Sequence, residues 1–97
     1  MIYHVTTKQA WAIALQKGFY ESPSLATEGF IHNSTLPQLE GVLHRYYANQ
    51  KDLLVLHIEE SHLSSPLKYE FATSVNEFFP HIFGPINLNA VNKIEEL

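Results

Sequence analysis

This 97-residue chain contains no cysteine, one aspartate, one arginine and four glycines. The missing cysteine excludes disulfide staples, a thiol nucleophile and any cysteine-ligated zinc or iron–sulfur centre, and it suits a reducing compartment. Asp52 alone could complete a Ser-His-Asp triad, and it sits in a polar turn, a poor place from which to orient a histidine. Gly18, Gly29, Gly41 and Gly84 are too dispersed to build a Gly-rich phosphate loop, and no His-Glu-x-x-His helix is present. Positive charge is also scarce. Lys8, Lys17, Arg45, Lys51, Lys68 and Lys93 are scattered and the formal net charge is -4, so no long nucleic acid is expected as a partner, because a nucleic-acid backbone needs several phosphates neutralised together. The longest apolar run, Leu53–Leu56, is far too short to cross a bilayer, and Met1-Ile2-Tyr3-His4 lacks the basic start of a signal peptide. No membrane partner and a soluble, cytoplasmic protein are the expectation.

What is present suffices for a single domain, 1–97, with one core: 45% of the residues are hydrophobic and 12% aromatic. Ile2, His4 and Thr6 alternate with Tyr3 and Val5, the period of a strand. Thr6 and Gln9 have capping-box spacing, so a helix is predicted from Thr7, with Trp11, Ala14 and Leu15 as its apolar stripe and Gly18 as its stop. Phe19–Thr27 has no period and is read as a loop. Leu39, Val42, Leu43, Tyr46 and Tyr47 recur at helical spacing, and Gly41 within them suggests close packing. Leu53–Ile58 reads as a central strand, Leu67–Phe71 as a half-buried one. Phe78–Ile86, broken by Pro80, Gly84 and Pro85, reads as an edge or irregular strand. Leu88–Leu97 reads as a last strand, or a turn plus strand. The order is α+β: a mixed, mostly antiparallel sheet with two helices.

The stretch Glu28-Gly29-Phe30-Ile31-His32-Asn33-Ser34-Thr35 concentrates the chemistry. Phe30 and Ile31 read as strand and Asn33–Thr35, ahead of Pro37, as a helix start, which places His32 at the junction where unpaired N–H groups favour an anion. His4 and His81 lie in comparable apolar settings, and the three histidines are expected to converge. Each also has the plainer reading of a buried histidine bonded to backbone. His44 and His62 read as surface residues, His57 as a core or rim residue.

Five segments, Ile2–Thr6, Glu28–Thr35, Arg45-Tyr46-Tyr47, Tyr69-Glu70 and Phe79–Pro85, occur in an order and spacing that resembles the uncharacterised bacterial family called domain of unknown function 952. More distantly, the Tyr-His-x-Thr opening and the later His-x-Ser are similar to the ADP-ribosyltransferase superfamily, notably its RNA 2′-phosphotransferase branch. That resemblance implies a small ADP-ribosyltransferase-like fold and NAD, or a related small nucleotide, as ligand and possible substrate. It implies His4 and Thr6 on the ribose or its phosphates and His32 and Ser34 lining the pocket. Glu70, or alternatively Glu77, would be the catalytic carboxylate stabilising the positive charge that develops on ribose as nicotinamide leaves. Tyr46, Tyr47, Phe79 or Phe83 would stack on a base. Arg45 is the one arginine available to a phosphate, which favours a compact NAD-like ligand over RNA. The candidate set is thus Glu70 and His32 for catalysis, with His4, Thr6, Ser34, Arg45, His81 and Phe83 for substrate. A non-catalytic nucleotide-binding module and a metal site of His4, His32 and His81 are the alternatives.

Overall fold

In the computed structural model, which describes residues 1–97, the alternating start of the chain forms strand β1 (Ile2–Thr7). It runs antiparallel to β4 (Leu53–Ile58), with Ile2 opposite Ile58 and His4 opposite Leu56. Strand β8 (Val91–Glu96) takes the other edge of β4. β4 is therefore the middle strand, which explains why Leu53–Leu56 is apolar on both faces. One face of this sheet presents Tyr3, Val5, Leu53 and Val55 to Leu39 and Leu43 of helix α3 (Leu36–Tyr46) and to Tyr47 just beyond it. The opposite face joins Ile2, Leu54, Leu56 and Ile58 to Trp11 and Ala14 of helix α1 (Lys8–Lys17) in the larger core. Ile2, Leu56 and Ile58 are closed to solvent, and burying each such side chain contributes about 1.5–3 kcal/mol.

Helix α1 begins one residue later than its sequence suggests. Thr7 is the cap, its Oγ1 accepting from the Ala10 N–H at 3.0 Å, because Thr6 belongs to the inward face of β1 and is buried. Gly18, at φ 92°, ends the helix in the left-handed region as expected. Leu15 is not part of the buried stripe; it is exposed.

The stretch Phe19–Thr27 is ordered rather than a plain loop. It holds β2 (Phe19–Tyr20), antiparallel to β7 (Ile86–Asn87), and a third helix, α2 (Pro23–Thr27). Pro23 opens α2, where a missing N–H costs nothing. Both elements are too short to generate a period.

The second three-stranded sheet has the order β3 (Ile31–His32), β6 (Glu77–Ile82), β5 (Leu67–Ala72). Its middle strand contains Pro80, which corrects the edge assignment. The pairing explains how. Phe83 N–H donates to the Pro66 carbonyl and the register is Lys68 to His81 and Glu70 to Phe79, so alternate residues 66, 68 and 70 bond β6 while Pro80 faces β3. There the Asn33 N–H donates to the Pro80 carbonyl at 3.0 Å, and proline has no N–H to return. The ladder stops after two residues, and the chain crosses to β1, where Ser34 and Tyr3 exchange both backbone bonds at 2.8 Å. This exchange joins the two larger sheets. Every strand pair is antiparallel, giving a small α+β fold with three helices. A 3-10 turn (Leu88–Ala90) precedes β8. No helix is long and apolar enough to cross a membrane.

Candidate functional site

A cleft of about 760 Å³ opens beside the Ser34–Tyr3 joint, lined by β1, the start of α2, β3 and its exit, the end of α3 and the β5–β6 hairpin. His4, Thr6, His32, Ser34 and His81 all line it. Pairing places them there: alternation turns His4 and Thr6 to one face of β1, and the β3–β6 register sets His32 directly opposite His81.

His4 is buried and held at both ring nitrogens. Nδ1 lies 2.6 Å from the His32 carbonyl oxygen and Nε2 lies 2.8 Å from the Tyr20 hydroxyl. A carbonyl can only accept, so Nδ1 carries the proton. Burial disfavours the charged ring and brings its pKa down to about 4, against a smaller upward pull from the bond to the His32 backbone. The neutral ring then accepts at Nε2 from the Tyr20 O–H. Burial also pushes the Tyr20 phenol up, so that donor persists. Tyr20 Oη is 2.9 Å from Thr6 Oγ1; with its own proton committed to His4, it accepts there from the Thr6 hydroxyl. The relay Thr6, Tyr20, His4, His32 carbonyl leaves the lone pairs of Thr6 Oγ1 as its free end.

The second group lies on the β3–β6–β5 sheet. Phe30, His32, His81, Phe83, Lys68 and Glu70 share one face by alternation. Phe30 stacks on His81 at 4.0 Å between centroids and 15° between planes, with Phe83 behind it at 5.5 Å. The His81 Nδ1–H donates to Glu70 Oε1 at 2.7 Å, which fixes the tautomer and leaves Nε2 unbonded. His32 Nε2 lies 3.1 Å from Glu28 Oε2, with both side chains at least half exposed, so this pair adds little stability.

Three residues of the candidate set lie outside the lining. Glu70 stands behind His81 as its partner. The Arg45 side chain runs back along α3 toward Gly41 and the Tyr46 ring, and Phe83 is screened by Phe30. Glu77 accepts from Gln38 Nε2 at 3.1 Å, also away from the cleft. His32 is not at a helix start: α3 begins at Leu36, and Gln38 Oε1 already accepts the Thr35 N–H at 3.0 Å. The three histidines meet only partly. The His32 and His81 rings touch edge to face, while His4 reaches the His32 backbone with both nitrogens engaged. No three histidine or acidic side chains are arranged to hold a metal ion.

Tyr20, Glu28 and Asn33 line the cleft without having been singled out as site residues. Glu28 is its one carboxylate, and neither lysine nor arginine lines it. Asn33 donates from Nδ2 to the Ile31 carbonyl at 2.9 Å, while its buried Oδ1 has no partner. The signal for Phe30 was its i, i+2 spacing from His32. Tyr20 offered none.

A small antiparallel α+β domain with a histidine-lined cleft is thus the class that fold and site define. The sequence matches the family described as Protein of unknown function (DUF952) over residues 5–94, and the chain belongs to that family. The crystal structure of CC0527 from Caulobacter crescentus is similar, with 28% identity and a TM-score of 0.90 over 99% of this chain and 84% of that one. Its solution NMR structure, at the same identity, gives a TM-score of 0.84 over 99% and 83%. No curated protein matches the sequence.

Proposed function

We propose that the cleft binds NAD or a related nucleotide, gripping the base and ribose and leaving the phosphates at its mouth. The composition of the lining carries this reading. Thr6 and Ser34, each carrying a hydroxyl, line the cleft together with the aromatic residues Tyr46, Tyr47 and Phe79, with neither lysine nor arginine among them. Ser34 Oγ makes no hydrogen bond within the protein, so it can exchange bonds with a sugar hydroxyl, and the aromatic rings offer faces to a base. A buried phosphate would find no countercharge here.

The distant likeness to ADP-ribosyltransferases extends the reading to chemistry. When the nicotinamide–ribose bond breaks, its electron pair leaves with nicotinamide and the sugar carbon becomes positive. Glu28, in the lining beside His32, replaces Glu70 as the carboxylate to face that charge. Glu70 serves instead to orient His81.

Titration of isotope-labelled protein with NAD, ADP-ribose and nicotinamide riboside, followed by NMR, tests the binding. Shifts confined to the amides of Thr6, His32 and Ser34 are expected; no shift at millimolar ligand, or shifts scattered over the surface, overturns the reading. A nicotinamide-release assay then separates enzyme from binding module. Localised shifts without release identify a module that only binds.

A further inference from the structure

The outer edge of the second sheet is strand β5, and its sequence, Leu67-Lys68-Tyr69-Glu70-Phe71-Ala72, is self-complementary when laid antiparallel on itself. Residues 66, 68 and 70 spend their backbone groups on β6, so Leu67, Tyr69 and Phe71 point their N–H and C=O groups outward. An unpaired row of this kind templates another strand. A partner strand must place its own outward residues opposite these, which leaves registers centred on Leu67, Tyr69 or Phe71, or on the residues between them. Centring on Lys68 sets two lysines together, and centring on Glu70 sets two glutamates together. Centring on Tyr69 sets Lys68 opposite Glu70 of the second copy, twice, and Leu67 opposite Phe71, twice. Lys68 and Glu70 then fall in non-hydrogen-bonded pairs, where side chains approach most closely.

The neighbouring surface matches. Tyr69, Phe71 and Phe78 are 46%, 48% and 58% exposed, and Phe71 and Phe78 pack edge to face at 5.0 Å on the side away from Lys68 and Glu70. An exposed aromatic cluster beside an open strand marks an interaction site. The open edge of the first sheet, β8, pairs with an irregularity at His57–Ile58 and has no aromatic side chain. Glu70 Oε2 stays available, because His81 bonds Oε1.

We propose that two copies of this chain associate through β5, centred on Tyr69, to form one continuous sheet of six strands. Phe71 lines the cleft, so Leu67 of the second copy becomes part of its rim. The partner strand is another copy because the charges match only with themselves reversed.

Sedimentation of the full chain over a wide concentration range tests this, with Lys68→Glu, Glu70→Lys and the double exchange. The Lys68 side chain makes no hydrogen bond and lies over the Phe83 ring, so its replacement leaves the fold intact, verified by circular dichroism. The wild type is expected to pass from one to two chains as concentration rises. Lys68→Glu alone should shift that transition at least tenfold upward in concentration, and the double exchange should restore it. A wild type that stays monomeric throughout, a dimer indifferent to Lys68→Glu, or a double variant that stays dissociated each overturns the proposal.

Discussion

His32 and His81 stand directly opposite each other across β3 and β6, their ring centroids 5.3 Å apart and their planes at 74°. Each has a carboxylate of its own, Glu28 and Glu70. The His32 ring is open to water, while the His81 ring is covered by Phe30, so neighbouring residues of the same type have different environments. His81 is the more buried ring. Replacing Phe30 with alanine removes the face that holds it, and the half-buried site should lose about 1–3 kcal/mol, below the full cost of a core phenylalanine. Urea unfolding measures the loss, and ring NMR signals of His81 that broaden in the variant would confirm that Phe30 orders it.

His4 makes stability depend on pH. Its pKa is about 4 folded and 6.5 unfolded, so between those values the unfolded chain binds the extra proton. Stability contributed by the neutral ring is intact above pH 6.5 and is lost as pH falls toward 4. At about 1.4 kcal/mol per unit the loss approaches 3 kcal/mol. Denaturant titrations from pH 7.5 to 4.5 should show the decline, and His4→Gln should flatten it while lowering stability at pH 7.

Tyr20→Phe keeps the ring in the core and deletes one oxygen. It leaves His4 Nε2 and the Thr6 hydroxyl without their shared partner, at a cost of about 1–3 kcal/mol. Thermal unfolding checks this. A variant as stable as wild type would mean that water replaces the phenol.

Two glycines should respond in opposite directions. A Cβ at Gly84 would collide with the Ser65 side chain, whose hydroxyl donates to the Pro85 carbonyl at 2.7 Å. Gly84→Ala should therefore cost about 1–3 kcal/mol, and Ser65→Gly in the same chain should recover most of it.

At Gly41 a Cβ meets only the mobile end of Arg45, so the close packing expected there is absent. Gly41→Ala should raise stability by about 0.5–1 kcal/mol through helix propensity. A fall in stability would show that the guanidinium cannot move aside.

A strong period made β1 and α3 legible and a continuous apolar run made β4 so, because each packs one or both faces against the core, whereas β5 alternates although Tyr69 and Phe71 stay exposed. His4, Thr6, His32, Ser34 and His81 could be nominated from short-range pattern and family likeness, and strand pairing brings them to one cleft. Glu70 shows the limit. Its partner, His81, stands diagonally from it on β6, opposite Lys68, and that register is not written in β5 alone. Tyr20 was hidden because a two-residue strand has no period. Pro80 misled because a proline usually marks an edge, whereas here its missing donor points where the neighbouring strand has already ended.

Pro80 also says something about how this architecture can drift over generations. Any other residue at that position would bring an amide hydrogen able to bond the Asn33 carbonyl and lengthen β3 by another step. Alternation would still point the Ser34 backbone groups at Tyr3, so the joint between the two sheets would persist. An inherited change at this one position would add a rung between β3 and β6 right beside the cleft while leaving the seam with β1 in place.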